Sequence, residues 1–153
     1  MKKAFWIYLA LTLCIMGVIY YFSAQTGEIS SNVSLSVTKK VVTEEKTSDL
    51  SGQDAKKKID SAEAIIRKTA HFLVYTVLGF CVFMTMYYSG KMNKKYILFT
   101  ISIVFCIIYA SSDEIHQLFV CERSGELRDV LIDSSGAFIG SLCAFCMSKI
   151  KCK

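Results

Sequence analysis

The sequence predicts an all-α integral membrane protein, a four-helix transmembrane bundle, and three observations carry that expectation. Four apolar runs each have the length needed to cross roughly 30 Å of hydrocarbon at about 1.5 Å per residue. The 153-residue chain is 53% hydrophobic with a mean hydropathy of +0.41, yet it carries 18 Lys and Arg and 13 Asp and Glu. Charged and apolar residues must therefore be segregated along it, and the apolar content excludes a disordered chain. The runs also lack the period-two alternation of barrel strands, the other way to cross lipid with every backbone group paired.

The first span is expected over 4–22, which holds no charge. Lys2 and Lys3 ahead of it resemble the start of a signal peptide, but the run is longer than the usual apolar core and its small-residue cleavage pattern is poor, so an uncleaved anchor is expected. The second span is expected over 69–88, the third over 96–112 and the fourth over 130–148, the last with Asp133 inside it. Residues 23–66 form an extracytoplasmic linker rich in Ser, Thr, Lys and Glu. Val33, Leu35, Val37 and Val41 there fit helix and strand alike. From about Asp54 the pattern firms: Ile59, Ala62 and Ile66 share a face, Lys56 and Asp60 stand at i and i+4, and no Gly or Pro intervenes before span two. One long helix should enter the membrane near Arg67.

Lysines set the expected orientation. Lys2, Lys3, Lys91, Lys94, Lys95, Lys149, Lys151 and Lys153 sit without acidic neighbours in short segments close to span ends, whereas all 13 acidic residues fall on the other side or at its span ends. Both termini are therefore expected in the cytoplasm, since Lys and Arg density in short loops decides topology. Of the seven cysteines, Cys14, Cys81, Cys106, Cys143 and Cys146 fall in spans, Cys152 in the tail and only Cys121 outside, so no extracytoplasmic intrachain disulfide is available. Those in the spans read as small apolar packing residues.

Polar residues gather where lipid should be. Arg67, His71 and Tyr75 recur at i, i+4 and i+8, with Lys68 beside them. Snorkelling explains a lone Arg at a span end, but a His one turn deeper needs a partner. The run DEIHQ supplies Asp113, Glu114, His116 and Gln117; its two acids should face different sides, with Asp113, His116 and Gln117 on one face. Span four opens with Arg128 and Asp129, and Asp133 follows a turn later. Below it Gly136, Gly140 and Ala144 repeat every four residues, a seam that lets a second helix approach and turns Asp133 inward. These groups converge, with Arg123, on a polar, mixed-sign pocket at the outer leaflet. Arg suits phosphate, and carboxylates with His supply a base, an acid or a seat for a divalent cation.

Four segments in order resemble the VanZ-like family of bacterial membrane proteins: YFSAQTG at 21–27, RKTAHFLVYTVLG at 67–79, YASSDEIHQLFV at 109–120 followed by Arg123, and DVLIDSSGAFIG at 129–140. Cys121 and Glu122 stand where the family pattern has Pro-Gly. The resemblance implies a multi-pass protein of the bacterial cytoplasmic membrane, associated with resistance to the glycopeptide teicoplanin. It also adds Ser23 and Gln25 to the polar positions.

The expected function is hydrolysis or transfer at the head group of a membrane lipid or lipid-linked cell-wall precursor. His71 or Glu114 would be the general base, Arg67 and Arg123 would hold phosphate, and Asp113 and Asp129 would orient the base or seat a divalent cation. His116 and Asp133 complete the candidate catalytic set; Lys68, Tyr75, Gln117, Ser23 and Gln25 complete the binding set. The alternative is a non-catalytic protein that binds or shields cell-wall precursors. Proton or ion passage is disfavoured because the charges stop at one side, and no nucleic-acid partner is expected. Cysteine-labelling or reporter fusions should place residues 2 and 150 on the cytoplasmic side and Ser61 on the opposite side; labelling of Ser61→Cys from the cytoplasm would reverse the topology.

Overall fold

The computed structural model describes residues 2–24, 52–92, 94–120 and 127–150; within the second stretch, side chains are described at Ser61 and from Ala64 onward. Every element among the described residues is helical: α1 (Lys2–Ser23), α2 (Gly52–Ser89), α3 (Lys95–Gln117) and α4 (Leu127–Ile150). All four are long and apolar enough to cross a membrane, α2 over Ala64–Ser89. The linker up to residue 51, with its valines, lies outside the described residues. So do the side chains of Lys56, Ile59, Asp60 and Ala62.

The helices outrun the spans that hydropathy marks. α2 is continuous over 38 residues, and its first 12 extend about 18 Å beyond the apolar part at 1.5 Å per residue. It stops at Gly90, whose φ of 65° is the left-handed conformation that ends a helix without a side-chain penalty. α3 does not end near Ser112 but continues to Gln117, so DEIHQ is helical throughout. Asp113 and Glu114 are both buried although, as adjacent residues, they point to different sides. Neighbours on a helix are about 100° apart, and the arc buried at this end of α3 is wide enough for both.

α2 and α4 form the centre of the bundle; α1 packs on α2, and α3 packs on α4 and α2. Glycines let the central pair touch backbone to backbone. A Cβ added to Gly136 would overlap the carbonyl oxygen of Phe72, one on Gly140 that of Thr76, and one on Gly79 that of Ala137. Ala144 continues the seam, fully buried. Lipid offers no hydrophobic drive for helices to associate, so such close packing and inter-helix hydrogen bonds must hold them.

Among the described residues, side-chain hydrogen bonds tie five helix pairs, the α2–α3 pair through the Ser102 hydroxyl donating to Met86 Sδ at 3.7 Å. The Thr12 and Thr85 hydroxyls meet at 3.2 Å between α1 and α2. Tyr109 of α3 donates to the Met16 carbonyl of α1 at 2.8 Å. Ser141 of α4 donates to the Gly79 carbonyl of α2 at 3.1 Å, and Lys95 of α3 donates to the Ser148 carbonyl of α4 at 2.6 Å. Tyr75, Leu78, Phe83, Met84, Leu98 and Cys106 fill the interior.

Large apolar side chains on all four helices, among them Trp6, Val77, Ile108 and Leu131, point outward as a lipid-facing surface requires. Cys81 and Cys106 are buried packing residues, but Cys14, Cys143 and Cys146 face outward with them, because an apolar thiol is as compatible with lipid as with a core. The glycines separate two outcomes. Gly140→Val should destabilise the protein by about 1–3 kcal/mol or more, since backbone cannot give way to the added Cβ. Gly17, with open space around it, should gain up to about 1 kcal/mol as Ala. Thermal unfolding in detergent micelles measures both.

Candidate functional site

The candidate residues lie at one end of the bundle, where α1 and α3 finish, α4 begins and α2 enters its apolar part. On α2 the spacing of Arg67, Lys68 and His71 turns all three toward α4. On α4, Asp129 and Asp133 at i and i+4 turn back toward α2. The helices run parallel here, so the pairs meet in register: Lys68 Nζ lies 3.2 Å from Asp129 Oδ1, and His71 Nδ1 lies 3.7 Å from Asp133 Oδ2. Arg67 takes part in neither pair. With Ile132, these five residues line a small cleft that encloses about 10 Å³, roughly the space of one water, and otherwise opens outward.

Polarity increases with depth. The Lys68 and Asp129 side chains at the rim are 32% and 23% exposed, whereas that of Asp133 is 1% exposed. Neither carboxylate oxygen of Asp133 has a hydrogen-bond partner. Its charged neighbours are His71, Asp113 and Asp129. Behind it Tyr75 is fully buried, its hydroxyl without a hydrogen bond and its electrostatic neighbours Asp113, Asp133 and Tyr109. A buried carboxylate without donors is costly, which makes Asp133 the least satisfied group of the site.

A second group is carried by the end of α3 and the end of α1. Asp113 accepts a hydrogen bond from Gln117 Nε2 at 3.1 Å, as their i, i+4 spacing predicts. The His116 ring stacks on Tyr20 of α1, with centroids 5.2 Å apart and planes at 23°. Ser23 is fully buried at the end of α1 and its hydroxyl has no hydrogen-bond partner. Asp113, Glu114, His116, Gln117, Tyr75 and Ser23 are thus all at this end of the bundle, but none of them lines the cleft. Gln25 and Arg123 lie outside the described residues. Arg128 is exposed and outside the cleft lining.

His71 meets Asp133 because α4 packs closely on α2 and the two helices run in register here. Among the described residues no three His, Cys, Asp or Glu side chains are grouped to hold a metal ion. Sequence reasoning passed over Tyr20, Tyr109 and Ile132. Tyr109 carried a signal, standing four residues before Asp113 on the same face.

These features define an integral, multi-pass helical membrane protein with a charged cleft between its two central helices. The chain belongs to the VanZ/LLP1 family, whose model matches residues 5–148. No curated protein and no solved structure matches it significantly.

The buried pair makes a stability prediction. His71→Ala should destabilise the protein by about 3–5 kcal/mol, because it leaves the Asp133 carboxylate buried without its ion-pair partner, and adding Asp133→Leu should recover most of the loss. Lys68→Ala, at the exposed rim, should cost no more than about 1 kcal/mol. A double-mutant cycle read by thermal unfolding in detergent tests this; additive losses at 71 and 133 would count against the pair.

Proposed function

We propose that this VanZ-like protein binds the phosphate-bearing head group of an envelope lipid, or of a lipid-linked cell-wall precursor, in the cleft between α2 and α4, and hydrolyses or transfers that head group. The observation that carries the reading is the His71–Asp133 pair at the base of a small cleft whose lining also holds Arg67 and Lys68. Arg67 offers a planar fork of donors matched to phosphate oxygens, and Lys68 adds a movable point charge. His71, whose Nδ1 lies 3.7 Å from the Asp133 carboxylate, would take the proton of a water or hydroxyl on its other nitrogen as that oxygen bonds to phosphorus, and would return it to the leaving oxygen as the P–O bond to the departing group breaks. Glu114, the rival base, does not line the cleft.

The head group lies at the bilayer surface, so the reading sets this end of the bundle in the outer leaflet of the bacterial cytoplasmic membrane, as the lysine distribution argues. Glycopeptide resistance, with which the family name is associated, is a cell-surface phenotype. An altered or covered envelope head group is the right class of change for it.

A second reading, binding without turnover, draws on the cleft lining, which among the described residues contains no Ser, Thr or Cys to serve as a nucleophile. Wild type and His71→Gln, expressed at matched levels, separate the two. Mass spectrometry of membrane lipids and lipid-linked precursors should find a head-group change with wild type that falls about 100-fold or more in the variant. Equal product from both would remove His71 from the chemistry, and no product from either would leave binding alone.

A further inference from the structure

Resting on that head-group reading, we infer that the cleft selects a zwitterionic group, one that carries a primary ammonium beside its phosphate, and that Asp133 receives the ammonium. The argument starts from the imbalance of the site. Asp133 is 1% exposed, lines the cleft and, among the described residues, has no hydrogen bond to either oxygen and one ion-pair contact, His71 at 3.7 Å. A phosphate alone would be drawn to Arg67 and Lys68 but repelled by Asp133 in the same lining. A site for a simple anion would not set its most buried carboxylate at the base. An ammonium there reverses the sign of that interaction and brings N–H donors to the two bare oxygens.

The chemistry of the ammonium is further constrained. A quaternary amine carries the charge but no N–H group, so it would leave both Asp133 oxygens without donors. Among the described residues no three His, Cys, Asp or Glu side chains are grouped to hold a metal ion there. A primary amine meets both requirements with its three donors. Two envelope sources carry this combination, an ethanolamine phospholipid and a lipid-linked precursor whose peptide bears a free amine.

The full chain, in nanodiscs of phosphatidylglycerol doped with equal amounts of phosphatidylethanolamine and phosphatidylcholine, would be released and its retained lipids counted by native mass spectrometry. A parallel arm offers an amine-bearing lipid-linked precursor and its N-acetylated form. On wild type, phosphatidylethanolamine over phosphatidylcholine, or the free-amine precursor over its N-acetylated form, should be enriched about tenfold, the size of one charge-assisted contact. Whichever pair shows the enrichment identifies the source. Asp133→Asn should abolish it while phosphatidylglycerol stays retained, and Arg67→Gln should lower retention of every phosphate-bearing lipid. Equal retention within both pairs on wild type would overturn the inference and needs no variant to fold. If Arg67→Gln changes retention of no lipid, the head-group reading itself fails; if Arg67 matters and the amine does not, only the present inference does.

Discussion

The close approach of α2 and α4 is the constraint on which the remainder of the structure depends. Gly136 and Gly140 admit the carbonyls of Phe72 and Thr76, and Gly79 admits that of Ala137, so the axes come nearer than side chains would allow. In water such a seam would be one packing solution among several. In lipid, where apolar side chains gain little by leaving their surroundings, it is a main source of cohesion. It also fixes the register of the two helices. His71 immediately precedes Phe72, and Asp133 lies less than one turn before Gly136, so the contact that holds the pair together sets the His71–Asp133 distance. Structural and chemical demands are met by adjacent residues on the same two faces.

Around that centre the remaining helices have unequal roles. α3 buries Asp113, Glu114 and Gln117 at the same end as the cleft and anchors the opposite end through Lys95, whose ammonium satisfies a free carbonyl in the last turn of α4. Such carbonyls lack intrahelical partners and carry the negative end of the helix dipole, so a lysine is well matched to them. α1 is the most lipid-exposed of the four, held by the Thr12–Thr85 contact, by Tyr109 and by the Tyr20–His116 stack. Polar groups therefore occur at both ends of the bundle, but among the described residues those buried without hydrogen-bond partners lie at the cleft end.

Much of this was legible in the sequence, for identifiable reasons. Bilayer thickness leaves a long apolar run few conformational choices, so the number of spans and the unbroken entry of α2 followed directly. The seam was legible as Gly136, Gly140 and Ala144 because residues four apart share a helical face. Helix ends were not: hydropathy falls where charges begin, at Asp113, but the backbone hydrogen bonds of α3 continue to Gln117. Partner choice was not legible either. DEIHQ attracted attention as the richest polar run, yet periodicity describes each helix alone and says nothing of which neighbour it faces. Only Gly79, on the other side of the seam, indicated that α2 and α4 are the nearest pair, and a single glycine in an apolar run has no periodicity to mark it.

The uninterrupted course of α2 has a mechanical consequence. Between Gly52 and Gly79 no glycine or proline provides a point of bending, so the turns that project from the bundle and the turns that carry Arg67 and His71 behave as one rod. A sideways load on the projecting turns is converted into tilt about the seam, where backbone contacts leave no slack. The two walls of the cleft belong to different rods, and any such tilt changes their separation. The first turns of α2 are thus a lever, with the glycine contacts as its fulcrum and the width of the cleft as its output.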